Sequence, residues 1–284
     1  MKIDSPLHDQ IQRAFAPLNH APAASGFPAP GSLSATLEKA NPSGSLTAAP
    51  AAKTAAIVTM FATATVDMWL RAVHSLLVSA SLTKVSPIWA SVTGYYSSHY
   101  SVRSIAHLLG FFQMFSRRKI VRLEYDNGRF SCVFESKTTR DPEHRFYWRV
   151  VKSNALFAGD PFFTQNLPGE ESDVGHRNRA NYADHLSTFP TFHPLGEEAV
   201  RSRIERISEI EFLIPPIPKP DLYPDIESVQ VVAYHRLVRC RELLDTAVGT
   251  SNRFWGVHRD PPWARHFIDY QITEPTRLGF EYTL

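Results

Sequence analysis

Cysteine is scarce in this chain. Two residues, Cys132 and Cys240, stand in 284 positions, which excludes a disulfide scaffold and points to a reducing, cytoplasmic compartment. Charge of one sign is lacking as well: 30 Lys and Arg against 28 Asp and Glu leave a net +2, so no bulk field draws the chain to nucleic acid or membrane. Lysine is rare beside arginine, 8 against 22, and arginine is the cation whose planar fork suits phosphate and carboxylate. No Gly-rich phosphate loop, Gly-x-Gly-x-x-Gly, Gly-x-Ser-x-Gly, His-Glu-x-x-His or Cys-x-x-Cys occurs. P-loop nucleotidases, Rossmann dehydrogenases, α/β hydrolases, common zinc proteases and zinc fingers therefore have no support, and neither a cofactor nor a metal is expected, although Asp173, His176, Asp184, His185 and His193 leave a metal-dependent hydrolase as a third reading without a specific spacing.

Apolar residues make up 43% of the chain, which excludes disorder along its full length. One long apolar run covers residues 55–82, but Asp67, Arg71 and His74 interrupt it. An Asp or Arg at a bilayer centre costs roughly 2.5–3.5 kcal/mol. The run is expected to be a buried helix of a soluble core, with no membrane partner.

The expected class is mainly α: a helical bundle with an inserted small antiparallel β-meander, α+β overall. Residues 1–52 hold seven of the 21 prolines amid Ala, Ser and Gly, and read as a flexible surface arm with a short helix at Leu7 to Phe15. Residues 53–284 read as the helical domain. A first long helix is expected from Thr54 to Leu82. A second starts with Ser86 as N-cap and Pro87 at the first helical position, and runs to about Phe115. Residues 117–152 then carry the meander. Ile120–Tyr125 and Arg129–Phe134 flank Asn127-Gly128, the pair a type I′ hairpin turn prefers, and Arg145–Val151 supplies a third strand. Helices at 172–187 and 196–212, a Pro-rich spacer at 215–220, a helix from Asp225 to Asp245 and an aromatic C-terminus complete the expectation.

Polar residues recur on helical faces. Asp67, Arg71 and His74 share one face, as do His99, Arg103 and His107. Each set reads either as a buried ion-pair network across the helix pair or as the lining of a polar cleft. A third cluster, His176 to His185, places Arg177, Asn181 and His185 on one side, with Asn178 close by. A guanidinium can stabilise phosphorane-like charge and an imidazole can move a proton near neutral pH, so this set reads either as one that cleaves RNA without metal or as a solvated or N-terminal helix face.

The stretch Tyr95-Tyr96-Ser97-Ser98-His99-Tyr100-Ser101-Val102-Arg103-Ser104-Ile105-Ala106-His107-Leu108-Leu109 resembles the central helix of the HEPN proteins. The resemblance covers residues 54–115 and 172–188. It implies a helical bundle that forms a homodimer and a metal-independent endoribonuclease of toxin or phage-defence type, checked by an antitoxin or another protein partner. Its Arg-x(4–6)-His motif falls on Arg179 and His185, which have five residues between them. Ala180 follows Arg179, whereas Arg177 has the polar follower Asn178 but has seven residues before His185. Arg177, Asn178, Arg179 and His185 are the expected catalytic set. RNA is the expected substrate, with His99 and Arg103 behind the site and Arg117, Arg118, Lys119, Arg122 and Arg129 tracking its backbone. The alternative is a non-catalytic helical interaction subunit of a defence or regulatory complex.

Overall fold

The computed structural model describes residues 5–20, 32–82, 86–114, 118–137, 143–158, 160–164 and 226–248. Among them the protein is mainly α-helical with one small antiparallel sheet, the class expected. Helices α1 (Ser5–His20), α2 (Ser32–Ala40), α3 (Ala51–Leu82) and α4 (Pro87–Leu108) precede strands β1 (Phe111–Met114), β2 (Lys119–Asp126) and β3 (Arg129–Ser136). Then come α5 (Glu143–Lys152), a 3-10 turn at Ala155–Phe157, α6 (Pro161–Thr164) and α7 (Ile226–Val248).

The chain divides into two compact units. The first holds α1, α2, α3 up to Trp69, α4 from Val102, the sheet, α5 and α7 from Cys240. The second holds α3 from Leu70, α4 up to Ser101, α6 and α7 up to Arg239.

In the second unit α3 and α4 are joined by serine hydroxyls. Ser97 Oγ donates to the Ala72 carbonyl at 2.8 Å, and Ser79 Oγ donates to the Ala90 carbonyl at 2.6 Å. The paired positions are seven residues apart on each helix and advance in opposite directions. Two helices can meet this closely only where the seam residues are small. In the first unit Ser104 Oγ donates to the Thr65 carbonyl at 2.7 Å. Thr65 and Ser104 continue the same seven-residue spacing along each helix. The buried face expected of α3 is present, and among the described residues α3 is the one helix long and apolar enough to cross a membrane. Its most apolar window is 72% buried inside the protein. Helix α4 starts at Pro87 as the Ser-Pro signal predicts, with the Ala90 N–H donating to the Ser86 carbonyl at 2.9 Å.

The hairpin lies where Asn127-Gly128 places it. Both residues have positive φ, 49° and 78°, and Asp126 pairs with Arg129 across them. Alternation puts Phe112, Val121 and Phe134 opposite one another on the buried face, beside the Leu123–Cys132 pair. Both sheet edges are covered. The Thr47 carbonyl accepts from Phe134 N–H and Ala49 N–H donates to the Cys132 carbonyl, each at 2.8 Å, alongside β3. On β1, Gln113 N–H donates to the Tyr147 hydroxyl of α5 at 3.3 Å.

Two expectations are corrected. Arg145–Val151 is not a strand but part of α5, and the third strand is Phe111–Met114, where the sequence predicts the end of α4. The run Phe146-Tyr147-Trp148 has strand propensity. However, Phe146, Tyr147 and Val151 lie on one helical face that is buried, and this burial outweighs propensity. Helix α4 stops because Gly110 stands just past its end at φ +86°, a left-handed closure, with its N–H on the His107 carbonyl at 2.9 Å.

Residues 32–50 differ from the surface arm read from their composition. Leu33, Leu37 and Ala40 are buried, and Asn41 clamps the Leu46 backbone through both side-chain ends, at 3.1 and 3.2 Å. The short helix expected at Leu7 to Phe15 is present within α1, where Ile11 is buried.

Gly110 supplies a test of this architecture. A Cβ there would stand 2.6 Å from the Leu123 carbonyl oxygen, whereas at Gly128 it would meet nothing within 4 Å. Gly110→Ala is expected to cost about 2–3 kcal/mol and Gly128→Ala about 1 kcal/mol, since both pay for positive φ but one also forces backbones apart. Urea unfolding of both variants measures the difference, and equal losses would refute the close approach.

Candidate functional site

Arg177, Asn178, Arg179, His185 and Arg117 lie outside the described residues. The other expected site residues fall in three places.

On α4, His99, Arg103 and His107 keep their common face, and both histidines are buried. In the second unit the His99 ring stacks on Tyr95, centroids 6.2 Å apart and 9° from parallel. In the first unit the Arg103 guanidinium lies 5.2 Å over the Tyr147 ring, and His107 meets the edge of that ring at 5.6 Å. Phe61 and Phe112 complete the surround of His107 at 6.4 and 5.5 Å. Arg103 and His107 thus hold α5 against α4, which is packing work. On α3, Arg71 and His74 are exposed, so these two do not form a buried network.

The basic hairpin is divided. Arg118 is exposed at the β1–β2 turn, and Lys119 Nζ donates to Ser136 Oγ at 3.2 Å. Arg122 is neutralised on the outer sheet face by Glu124 at 2.7 Å and Glu135 at 3.1 Å. Arg129 stands at the far end of the hairpin, about 25 Å along the strand at the usual rise per residue. A continuous phosphate track from Arg118 to Arg129 is therefore interrupted by an acidic pair.

Among the described residues a buried charged cluster that the sequence reading does not name lies in the second unit, on α7. Arg239 Nε lies 3.0 Å from Asp160 Oδ2, with both side chains under 10% exposed. Asp160 Oδ1 accepts the Phe162 N–H at 3.0 Å and so caps α6. The buried Arg236 donates from Nε to the Phe162 carbonyl at 2.7 Å and from NH1 to Ser98 Oγ at 3.1 Å. The His235 ring stacks on Phe162, centroids 4.1 Å apart and 23° from parallel. The signal in the sequence is the spacing of Arg236 and Arg239, three apart on one helical face. What hid it is Asp160, which is far away in the chain.

Burial pushes His235 down to about 4, and the Arg239 charge adds to the effect. The imidazole is neutral at neutral pH and its ring is committed to Phe162. In the unfolded chain it titrates near the ordinary 6.5, so on acidification the unfolded chain takes the proton first. Stability is whole above pH 6.5 and is lost as pH falls from 6.5 to 4, by at most about 3 kcal/mol. His235→Phe keeps the stack and is expected to remove that slope. Urea midpoints at pH 7 and pH 4.5 decide it, and an unchanged slope would sink the assignment.

Neither described cysteine is a nucleophile in waiting. Burial pushes both thiols up to about 12, and Cys240 Sγ donates to Ser104 Oγ at 3.2 Å. Among the described residues no three His, Cys, Asp or Glu side chains converge as a metal site. Comparison with protein-family models, with curated proteins and with solved structures gives no match.

Proposed function

We propose that the chain is a HEPN-like, metal-independent endoribonuclease of toxin or phage-defence type. It acts in the cytoplasm as a homodimer and is restrained by an antitoxin or other protein partner. What carries the reading is α4: the Tyr-Tyr helix that bears the resemblance is a core helix, with Tyr95, Ser97, Ser98, His99 and Ser101 all buried. In the proposed reaction the RNA 2′-oxygen attacks the adjacent phosphorus and the 5′-oxygen leaves. Arg177 or Arg179 balances the charge that gathers on the phosphoryl oxygens, and His185 moves the proton. Asn178 or Asn181 orients that pair, while the buried His99 and half-buried Arg103 act as supports rather than as RNA contacts.

The test is incubation of the full chain with a mixed RNA pool in EDTA, followed by analysis of fragment ends. Fragments ending in 2′,3′-cyclic phosphates are the expected result. No cleavage in EDTA, nor on adding Mg²⁺ or Mn²⁺, overturns it.

The second reading, a non-catalytic interaction subunit, is favoured by a specific observation. Arg236, Arg239 and His107 are engaged with internal partners rather than lining an open cleft. A stable co-purified protein without nuclease activity would decide for it.

A further inference from the structure

The first unit holds an open groove of about 670 Å³ between α1, the first turns of α3 and the start of β3. Its floor is the outer side of α3 at Ala55, Ala56 and Thr59, where small side chains leave the surface low. Arg13 of α1 borders one side, and Arg129 and Phe130 border the other. Both arginines are exposed. Phe130 continues into an aromatic step, because its ring lies 4.8 Å from that of Tyr125, and the Arg13 guanidinium stands 5.7 Å over Tyr125. Two acidic residues stand near these cations: Asp9 lies one helical turn before Arg13 and contacts its Nε at 3.3 Å through an exposed pair, and Asp126 is the cross-strand neighbour of Arg129 at the exposed turn.

We propose that this groove binds one nucleotide unit of a single-stranded RNA, with its phosphate between Arg13 and Arg129 and its base against Phe130. Charge complementarity commits the occupant to an anion, since two guanidiniums border a groove whose floor supplies no carboxylate. The volume falls in the range of small-molecule sites. Guanidiniums beside a ring are the combination that holds single strands, the cations tracking the backbone and the ring taking a base face regardless of sequence. The interrupted hairpin agrees, because Arg129 is the hairpin cation that faces this groove. The inference rests on the reading of the chain as a protein that acts on RNA.

The probe is a fluorescein-labelled 2′-O-methyl oligoribonucleotide, which lacks the 2′-hydroxyl needed for cleavage. Its binding to the full chain is followed by anisotropy over a series of salt concentrations. The wild type is expected to bind. Arg13→Ala/Arg129→Ala is expected to weaken binding at least tenfold and to flatten the salt dependence by about 0.7 in log–log slope, one phosphate at the single-strand value. Asp9→Asn is expected to tighten binding. Both arginines are exposed, so circular dichroism and melting should be unchanged in these variants.

Binding by the double variant equal to wild type, or no binding by the wild type, overturns the groove. The two proposals fail separately. Cleavage in EDTA together with unchanged binding by the double variant removes the groove and leaves the ribonuclease. Weakened binding without any RNA cleavage keeps the groove and removes the catalytic reading.

Discussion

Arg239→Met is expected to lower folding stability by about 3–5 kcal/mol, the usual cost of stranding one member of a buried ion pair. The reason is local. Asp160 is nearly enclosed, and the Arg239 guanidinium at 3.0 Å is a cation that offsets its desolvation. The second substitution decides whether charge or shape is responsible. Asp160→Asn keeps an oxygen for the Phe162 N–H, so the α6 cap survives. The double variant Asp160→Asn/Arg239→Met should recover to within about 1 kcal/mol of wild type, because neither member is left as an uncompensated charge. Chemical denaturation of the four proteins closes the cycle. Additive losses in the double variant would show that the pair is not coupled.

His185→Ala is expected to reduce RNA cleavage by about 10²–10⁴-fold, the range for removing a positioned proton-transfer group. Binding of the 2′-O-methyl oligonucleotide should not change, since the imidazole acts in the chemical step. Arg177→Ala and Arg179→Ala, assayed side by side, decide which guanidinium serves the phosphate. The larger loss identifies it, and Arg179 satisfies the family spacing while Arg177 has the polar follower Asn178. Cleavage by His185→Ala at the wild-type rate would reject the assignment of the whole cluster.

The two outcomes bear on different links in the chain of cause. The Asp160–Arg239 result concerns what holds the second unit together. The His185 result concerns chemistry read from the sequence, on residues outside those the structure describes.

Local signals were legible at several features whose deciding residues are neighbours in the chain, although the stop of α4 at Gly110, equally local, was not among them. Ser86-Pro87 marks the start of α4, because proline is tolerated at a first helical position. Asn127-Gly128 sets the β2–β3 hairpin, because positive φ is cheap for these residues. The length and apolarity of 55–82 give α3, and the helix expected from Asp225 is α7 at Ile226–Val248. The mainly helical class followed from these.

Tertiary contact decided the rest. Local signals conflict over Arg145–Val151, strand propensity in Phe146-Tyr147-Trp148 against apolar residues spaced along one helical face; the burial of that face at Phe146, Tyr147 and Val151 settles it as helix. The composition of residues 32–50 gave no hint of Asn41 clamping Leu46 or of Thr47–Ala49 lying along β3. Asp160 and Arg239 belong to one site only because folding removes both from water, and a buried charge needs an opposite charge wherever in the chain that charge occurs. The groove at Arg13 and Arg129 likewise exists only once α1 and the hairpin are packed beside α3. Chain-local conformational preference is written in neighbouring residues, whereas desolvation is paid by whichever groups the fold brings together.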